Sequence, residues 1–332
     1  MKRRFLFELL GELGDMPRDE VLQTIRTETD GDCLTVSAGP GYVVSEFPEE
    51  RFPDICSRLA LAHSAGRYLC SVDPGDFGPL ADADMPEGTF AVRHLRFKGF
   101  MPDVDSQKMV REAGAVLSRK NDVNLKHPDI TVGMLMTDRL HLFIRDRVFD
   151  ADLLRERKVS ERPFFSPISL HPKYARALIN LTGVKRGGTV LDPFCGTGGI
   201  VIEAAEMGMK AIASDFDPEM VAGTRENLEY YHLPLHDFET IDIGDIPERF
   251  SEIDAIACDP PYGRSTKTGG ENVDHIYARA LEAFPKVLTQ EGRAGVVLPH
   301  VYDNPYMKLQ KVYEQYVHGS LSRFYHIYVR QL

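Results

Sequence analysis

The chain has 332 residues, 43% of them hydrophobic, and a formal net charge of −11. That length carries two domains with their own cores, at roughly 100–200 residues each. No apolar run reaches the ~18 residues of a membrane-spanning helix, and the acidic sum taken alone speaks against a nucleic-acid partner.

The opening MKRRFLFELLGELGD has a basic start, but Glu8 and Glu12 interrupt its apolar stretch. It reads as a first strand with a charged edge and not as a signal peptide. FLFELLG and CLTVSAG read as strands, and VLQTIRTE and RFPDICSRLALAHSAG as helices. TFAVRHLRF, MVREAGAVLSRK, ITVGMLMT and RLHLFIRD then give strand, helix, strand, strand. The pattern is α+β, in two small units joined near residue 60. Five cysteines (Cys33, Cys56, Cys70, Cys195, Cys258) form an odd set with no CxxC pair. This predicts neither a disulfide framework nor a metal site, and it suits a reducing cytoplasm.

Charge is unevenly spread. Residues 1–92 carry 8 basic and 17 acidic side chains, residues 93–162 carry 15 and 11, and residues 163–332 carry 16 and 22. A basic segment inside an acidic chain is either ordinary fluctuation or an electrostatic footprint for phosphates. It runs into DADLLRERKVSERPFFSP, residues 150–167, which is charge-dense, proline-punctuated and without apolar periodicity, as a linker should be.

Beyond the linker, strands and helices alternate. Ser169 or His171 can cap a helix that Pro172 opens and Gly183 stops. The strand TVLD (189–192) runs through a glycine turn into IVIEAAEM, and KAIASD (210–215) leads to a helix capped by Asp217 and carrying Met220, Val221 and Leu228. IDAIACD (253–259) is a strand, residues 274–284 are helical, and RAGVVLP (293–299) and LSRFYHIYVR (321–330) are strands. This alternation predicts an α/β doubly wound parallel sheet.

Two motifs sit at strand ends. In DPFCGTGG (192–199), glycines let the backbone turn tightly and approach a ligand, and Asp192 stands at the carboxyl edge where open α/β sheets bind ligands. Asp215, 17 residues past Gly198 at the next strand end, suits ribose hydroxyls. A nicotinamide-dinucleotide site would show three spaced glycines, so it fits less well; the bland alternative is a plain strand–loop–helix turn. Asp245 in IDIGDI sits where a third strand would end and could meet an adenine amino group, with Asp242 as the competing choice.

The second motif is DPPYG (259–263). Methyl transfer from a sulfonium to nitrogen is an in-line displacement that needs a lone pair aimed at the methyl carbon. An exocyclic amino group on a base is a poor nucleophile because its lone pair is delocalised. The Asp259 carboxylate and the Pro260 carbonyl can polarise it by accepting its N–H bonds, with Pro261 stiffening the turn and Tyr262 offering a ring to a turned-out base. Asp254 is read as structural, and Cys258 should face away from Asp259, which disfavours a cysteine-based carbon methylation.

DPFCGTGG followed by DPPYGRS (259–265) resembles the amino-methyltransferases with an Asp/Asn-Pro-Pro-Tyr/Phe motif. With RPFFSPISLHPKYARALINLTG before it and SLSRFYHIYVR after it, the stretch 162–332 resembles the archaeal tRNA guanosine-10 N2-methyltransferases and their eukaryotic counterparts. RFKGF (96–100) and DVNLKHPDITVGMLM (122–136) resemble a THUMP RNA-binding domain. The resemblance implies a Rossmann-like class I methyltransferase domain at 166–332, a linker at 151–165, THUMP at 61–150 and a ferredoxin-like α+β domain at 1–60. It implies S-adenosylmethionine as cofactor, held by Asp192, Phe194, Gly196, Thr197, Gly198, Asp215 and Asp245, with Phe165, Ser169 and His171 around the methionine end. Asp259, Pro260, Pro261 and Tyr262 would hold guanine, and Arg264 and Ser265 would order their loop or meet RNA. Arg96, Lys98, Lys108, Arg119, Lys120 and Lys126 become candidates for tRNA phosphates; the alternative for each is a solvated charged face.

The expected function is tRNA guanosine-10 N2-methylation, mono- or dimethyl, by a soluble monomer; whether it needs a small activating partner protein is left open. Another acceptor-stem guanosine, adenine N6, a protein glutamine, or a non-catalytic RNA-binding module are the alternatives. The basic segment speaks against the protein substrate, and the intact Asp259–Tyr262 set against the non-catalytic reading.

Overall fold

Strand β1 (Lys2–Leu9) buries Phe5, Leu6 and Phe7 in succession, because it lies between two other strands with both of its faces covered. It pairs antiparallel with β3 (Tyr42–Pro48) on one side and β4 (Ala62–Val72) on the other. The computed structural model describes residues 1–149, 157, 159–166, 169–234, 236–263, 270–319 and 321–331. They divide into two compact units, Met1–Glu12 with Pro17–Cys56 and Leu61–Asp150, and Leu13–Met16 with Ser57–Ala60 and Ala151–Leu332.

The first unit is built on one sheet. With β2 (Leu34–Gly39), β5 (Phe90–Arg96), β6 (Ile130–Met136) and β7 (Leu140–Ile144), the strand order is β2-β3-β1-β4-β7-β6-β5, and β8 (Arg147–Val148) pairs beside β4. The small units expected on either side of residue 60 therefore share a sheet through β4. Only β5 and β6 among these pairs run parallel, joined by a crossover through helix α3 (Ser106–Leu117). Asp105 caps α3 by accepting the Gln107 and Lys108 N–H groups (2.9 and 3.0 Å), and Met109, Ala113 and Leu117 turn one stripe into the core with Val92, Val132 and Met134.

Two further helices precede α3: α1 (Met16–Glu28) and α2 (Phe52–Arg58). The helix expected across RFPDICSRLALAHSAG stops at Arg58, and AHSAG becomes the start of β4. Leucine and alanine favour helix locally, but pairing of this segment with β1 on one side and β8 on the other overrides that preference. Strand β3 adds to the expected elements, with a β-branched and aromatic composition that fits a central strand.

The second unit carries the alternation read from the sequence. After α4 (Pro172–Thr182) come β9 (Thr189–Asp192), α5 (Gly199–Glu206), β10 (Lys210–Asp215), α6 (Pro218–Tyr230), β11 (Asp237–Thr240), α7 (Ile246–Arg249), β12 (Ile253–Cys258), α8 (Val273–Val287), β13 (Leu288–Leu298), β14 (Met307–His318) and β15 (Leu321–Arg330). The strand order is β11-β10-β9-β12-β13-β15-β14, parallel as far as β13 and antiparallel for the last two. This is the expected Rossmann-like doubly wound sheet, with an antiparallel pair on one side. His171 caps α4, its Nδ1 accepting the Lys173 N–H (3.2 Å), and Gly183 ends that helix in the left-handed conformation. Strand β14 is additional to the expected elements; its charged residues, Lys308 and Lys311 among them, suit a sheet edge.

Glu203 on α5 is fully buried, and it accepts hydrogen bonds from Arg157 (2.9 Å) and from Arg176 of α4 (2.8 Å). A carboxylate here balances two largely buried guanidinium groups. Glu203→Ala is expected to cost about 3–5 kcal/mol by leaving those cations uncompensated, read as a lowered midpoint of urea unfolding, with Glu203→Gln losing less.

Candidate functional site

The strand register gathers three carboxylates at one edge of the parallel sheet. Asp192 ends the central strand β9, level with Ala213 of β10, and Leu191 pairs with Ile256 of β12. Asp215 therefore lies two residues beyond Asp192 on one side, and Asp259 two residues beyond it on the other. Asp192 is 2% exposed and Asp215 is 7% exposed. Burial pushes the carboxyl of Asp192 well above its ordinary range, and the nearby negative charges of Asp215 and Asp259 add to the effect. Burial also raises Asp215, against two backbone donors, Gly196 N–H and Asp217 N–H, each at 3.1 Å.

The glycine loop is bent by its own backbone. Gly196 and Gly198 hold φ of +49° and +78°, and a Cβ on Gly198 would stand 2.9 Å from Thr224 Cγ2. Cys195 N–H donates to the Ser214 carbonyl (3.0 Å), and Thr224 Oγ1 donates to the Gly196 carbonyl (2.9 Å). The segment ahead of α4 closes over this loop. Ser169 Oγ and Thr197 Oγ1 share a hydrogen bond of 2.8 Å. Asn227, fully buried on α6, donates to the carbonyls of Phe164 (2.6 Å) and Thr197 (2.9 Å) and accepts the Phe164 N–H (3.0 Å). The Phe164 ring lies on Gly223, where any Cβ would come within 2.0 Å of it. Asn227, Phe164 and Thr224 are absent from the residues that the sequence marks out. A polar residue in a mid-helix run such as TRENLEYY carries no mark of burial until the partner segment is in place.

Of the residues expected to hold a cofactor, Asp192, Phe194, Gly196, Thr197, Gly198, Asp215 and Ser169 come together around this edge. Phe165 lies on the closing segment, 59% exposed, and His171 is spent on capping α4. Asp245 does not end a strand. Strand β11 stops at Thr240, and Asp245 is an exposed residue before α7 whose side chain makes no capping bond. Asp242 is closer to the strand end, accepting the Gly244 N–H (2.9 Å) and paired with the guanidinium of Arg279.

At Asp259, Tyr262 donates its O–H to Oδ1, so the ring offered for stacking is anchored by its hydroxyl. Tyr277 O–H donates to the Pro261 carbonyl (2.8 Å), fixing the peptide between Pro261 and Tyr262. Burial lifts the Asp259 carboxyl to about 6, against the opposing pull of the Arg323 guanidinium and the Tyr262 hydrogen bond. Asp254 Oδ2 accepts the Thr189 N–H (2.8 Å), the structural role expected.

The basic candidates of the first unit are dispersed. Arg96 braces the loop behind β5, donating to the carbonyls of Phe100 (3.3 Å) and Val104 (2.9 Å). Lys108 faces Glu112 at 3.9 Å, and Lys98 and Lys126 are exposed. Arg119 and Lys120 line an open cleft of about 520 Å³ together with Glu87, Asp122 and Asp129. Arg264 and Ser265 lie outside the described residues.

Fold and site define a class. The family described as RMKL-like, methyltransferase domain, matches residues 160–321. TrmN from Thermus thermophilus shares the fold, with a TM-score of 0.53 and 24% identity over 99% of this chain and 100% of that one. Two proteins named tRNA (guanine(10)-N2)-dimethyltransferase match over nearly the whole length. The one from Methanothermobacter thermautotrophicus is 34% identical, covering 93% of this chain and 94% of its own. The one from Pyrococcus abyssi is 36% identical, covering 97% and 98%. The chain belongs to the tRNA (guanine(10)-N2)-dimethyltransferase family.

Cys258 is fully buried, packs in the core with Tyr277, Phe284 and Val296, and has its thiol pushed well up by burial. A thiol so held is no nucleophile. Cys258→Ala is expected to keep methyl transfer within a few-fold while lowering thermal stability by about 1 kcal/mol. Loss of turnover at unchanged stability would revive a cysteine mechanism.

Proposed function

We propose that this protein methylates the exocyclic N2 of guanosine 10 in tRNA, once and then a second time, with S-adenosylmethionine as donor. The observation that carries the reading is Asp259 with its Tyr262 partner, at the strand edge next to the glycine loop, in a chain related over nearly its full length to enzymes of that name. Buried carboxylates at Asp192 and Asp215 fit a ligand that brings hydroxyl and amino donors and a positive sulfonium, each of which lowers the cost of their burial. In this reading Asp215 accepts from ribose hydroxyls. Asp242 or Asp245 meets the adenine, and Ser169 and Thr197 border the methionine end.

The bound sulfonium supplies an electrophilic methyl group. Asp259 accepts an N–H of the guanine amino group and holds the nitrogen lone pair in line with that methyl. As the N–C bond forms and the C–S bond breaks, the nitrogen turns acidic and gives up a proton, for which the Asp259 carboxylate is the acceptor at hand. One N–H is enough for this role, so the monomethylated base can serve a second time.

The RNA reading assigns residues 61–150 as THUMP, 1–60 as a ferredoxin-like domain and 151–165 as the linker to a methyltransferase domain at 166–332, in a cytoplasmic monomer. Arg119 and Lys120 are the basic residues favoured for phosphates, since Arg96 is committed to its own loop.

Labelled S-adenosylmethionine and an unmodified tRNA transcript are expected to yield N2-methyl- and N2,N2-dimethylguanosine, lost when guanosine 10 is replaced. Label that survives that replacement would move the target; label only in DNA or protein would overturn the reading. If the chain alone is inert but active with cell extract, a small partner protein is required. Because Asp259 must be ionised, the rate is expected to fall about tenfold per pH unit below about 6. Asp259→Ala is expected to lose roughly 10²–10⁴-fold.

A further inference from the structure

Arg323 lies beside the reacting edge, and the proposed methyl transfer gives it no role. Cys258 of β12 is level with Val296 of β13, so Asp259 is level with Val297, which pairs with Tyr325 of β15. Residues at one level, and those two apart on one strand, share a face. Asp259, Tyr325 and Arg323 therefore stand on the same face, with Arg323 on the carboxyl side of the Leu298–Phe324 pair. Tyr174 of α4 packs on Tyr325 at 6.1 Å, which makes this the face reached by the segment that closes over the glycine loop. The guanidinium lies within charge range of both Tyr262 and Asp259.

We infer that Asp259 and Arg323 form an acceptor–donor pair that reads the Watson–Crick edge of guanine, making Arg323 the residue that separates guanine from adenine. The inference rests on the proposed guanine methylation and deepens it. Next to its amino group guanine presents N1–H, a donor, and then O6, an acceptor. A carboxylate takes the amino and N1 hydrogens, and a guanidinium beside it donates to O6. Adenine presents a bare N1 next to its amino group, so the carboxylate would face a lone pair and the guanidinium would lose its acceptor. Sites that leave buried polar groups unpaired in this way reject the wrong ligand strongly.

Arg323 has a second effect through charge. Among the described residues, the titratable groups facing Asp259 are Asp192 on β9, Cys258 on its own strand, Tyr262, Tyr277 of α8 and Arg323. Of these only Arg323 is cationic, and it opposes the burial that favours the protonated acid.

The test compares tRNA carrying guanosine or 2-aminopurine at position 10; 2-aminopurine keeps the target amino group but lacks N1–H and O6. Wild type is expected to favour guanosine by about 100-fold in kcat/KM, at roughly tenfold per lost hydrogen bond. Arg323→Gln should narrow that ratio at least tenfold and move the acid limb of the rate profile up by about one pH unit. Arg323→Lys, which keeps the charge but not the fork, should hold the limb and still narrow the ratio. Unchanged affinity for S-adenosylhomocysteine certifies the fold of each variant. Equal losses on both bases with an unmoved acid limb would overturn the inference and make Arg323 structural. If wild type leaves guanosine 10 unmethylated, the proposed function fails first, and the pair reading falls with it.

Discussion

The second unit is organised around a cost. Three carboxylates stand at one edge of a parallel sheet, two of them almost wholly out of solvent, and Asp215 and Asp259 lie close enough to raise the proton affinity of Asp192. Such an edge is stable only if donors surround it. The backbone supplies the first set, from Phe194, Gly196 and Asp217. The first two are available because the chain leaves β9 through a glycine turn that aims N–H groups back toward the strand ends, and Asp217 donates from the turn that follows β10. What the backbone leaves unmet is the recognition capacity of the site, and a ligand rich in hydroxyl and amino hydrogens with a cationic centre answers it.

The closing segment arises from the same constraint. Phe164 and Ser169 lie ahead of α4, outside any helix or strand, and they are held by Asn227 and Thr197. Asn227 is a full donor–acceptor bridge in an apolar setting. It fixes a loop against a loop, where sheet or helix hydrogen bonding cannot reach. The Phe164 ring then fills the space over Gly223, so the arrangement is determined by shape as well as by polarity.

How far this is legible in the sequence depends on the range of the interaction. Asp192, Asp215 and Asp259 each end an apolar strand, and a glycine or proline comes within a few residues of each, so a short window shows both the strand and its edge. The caps at His171 and Asp217 are local in the same way. The strand end expected at Asp245 is misplaced because the strand before it is short and weakly apolar, and its end at Thr240 is set by pairing with β10. Helix α2 reads too long for the reverse reason, since Leu59 to Ala65 continue a helix-like run until β1 claims Ala62 onward for β4. Asn227 and Arg323 are invisible, because each gains its meaning from a residue more than 60 positions away.

Asp259 links stability to chemistry through one group. Its carboxyl titrates near 6 in the folded protein, above its ordinary value of 3.8, so the folded state holds this proton more tightly than the unfolded chain does. The resulting stabilisation is present in full below about pH 4 and is lost as pH rises through 6. At neutral pH the ionised carboxylate is therefore a strain on the fold, and it is the ionised form that can accept an amino hydrogen. Arg323 and Tyr262 reduce that strain without removing it. A site made comfortable by full neutralisation would have no unmet demand for the donors of a base. The residual cost at Asp259 is thus what the hydrogens of a bound base would relieve, and it stands at a strand end where a ligand can reach it.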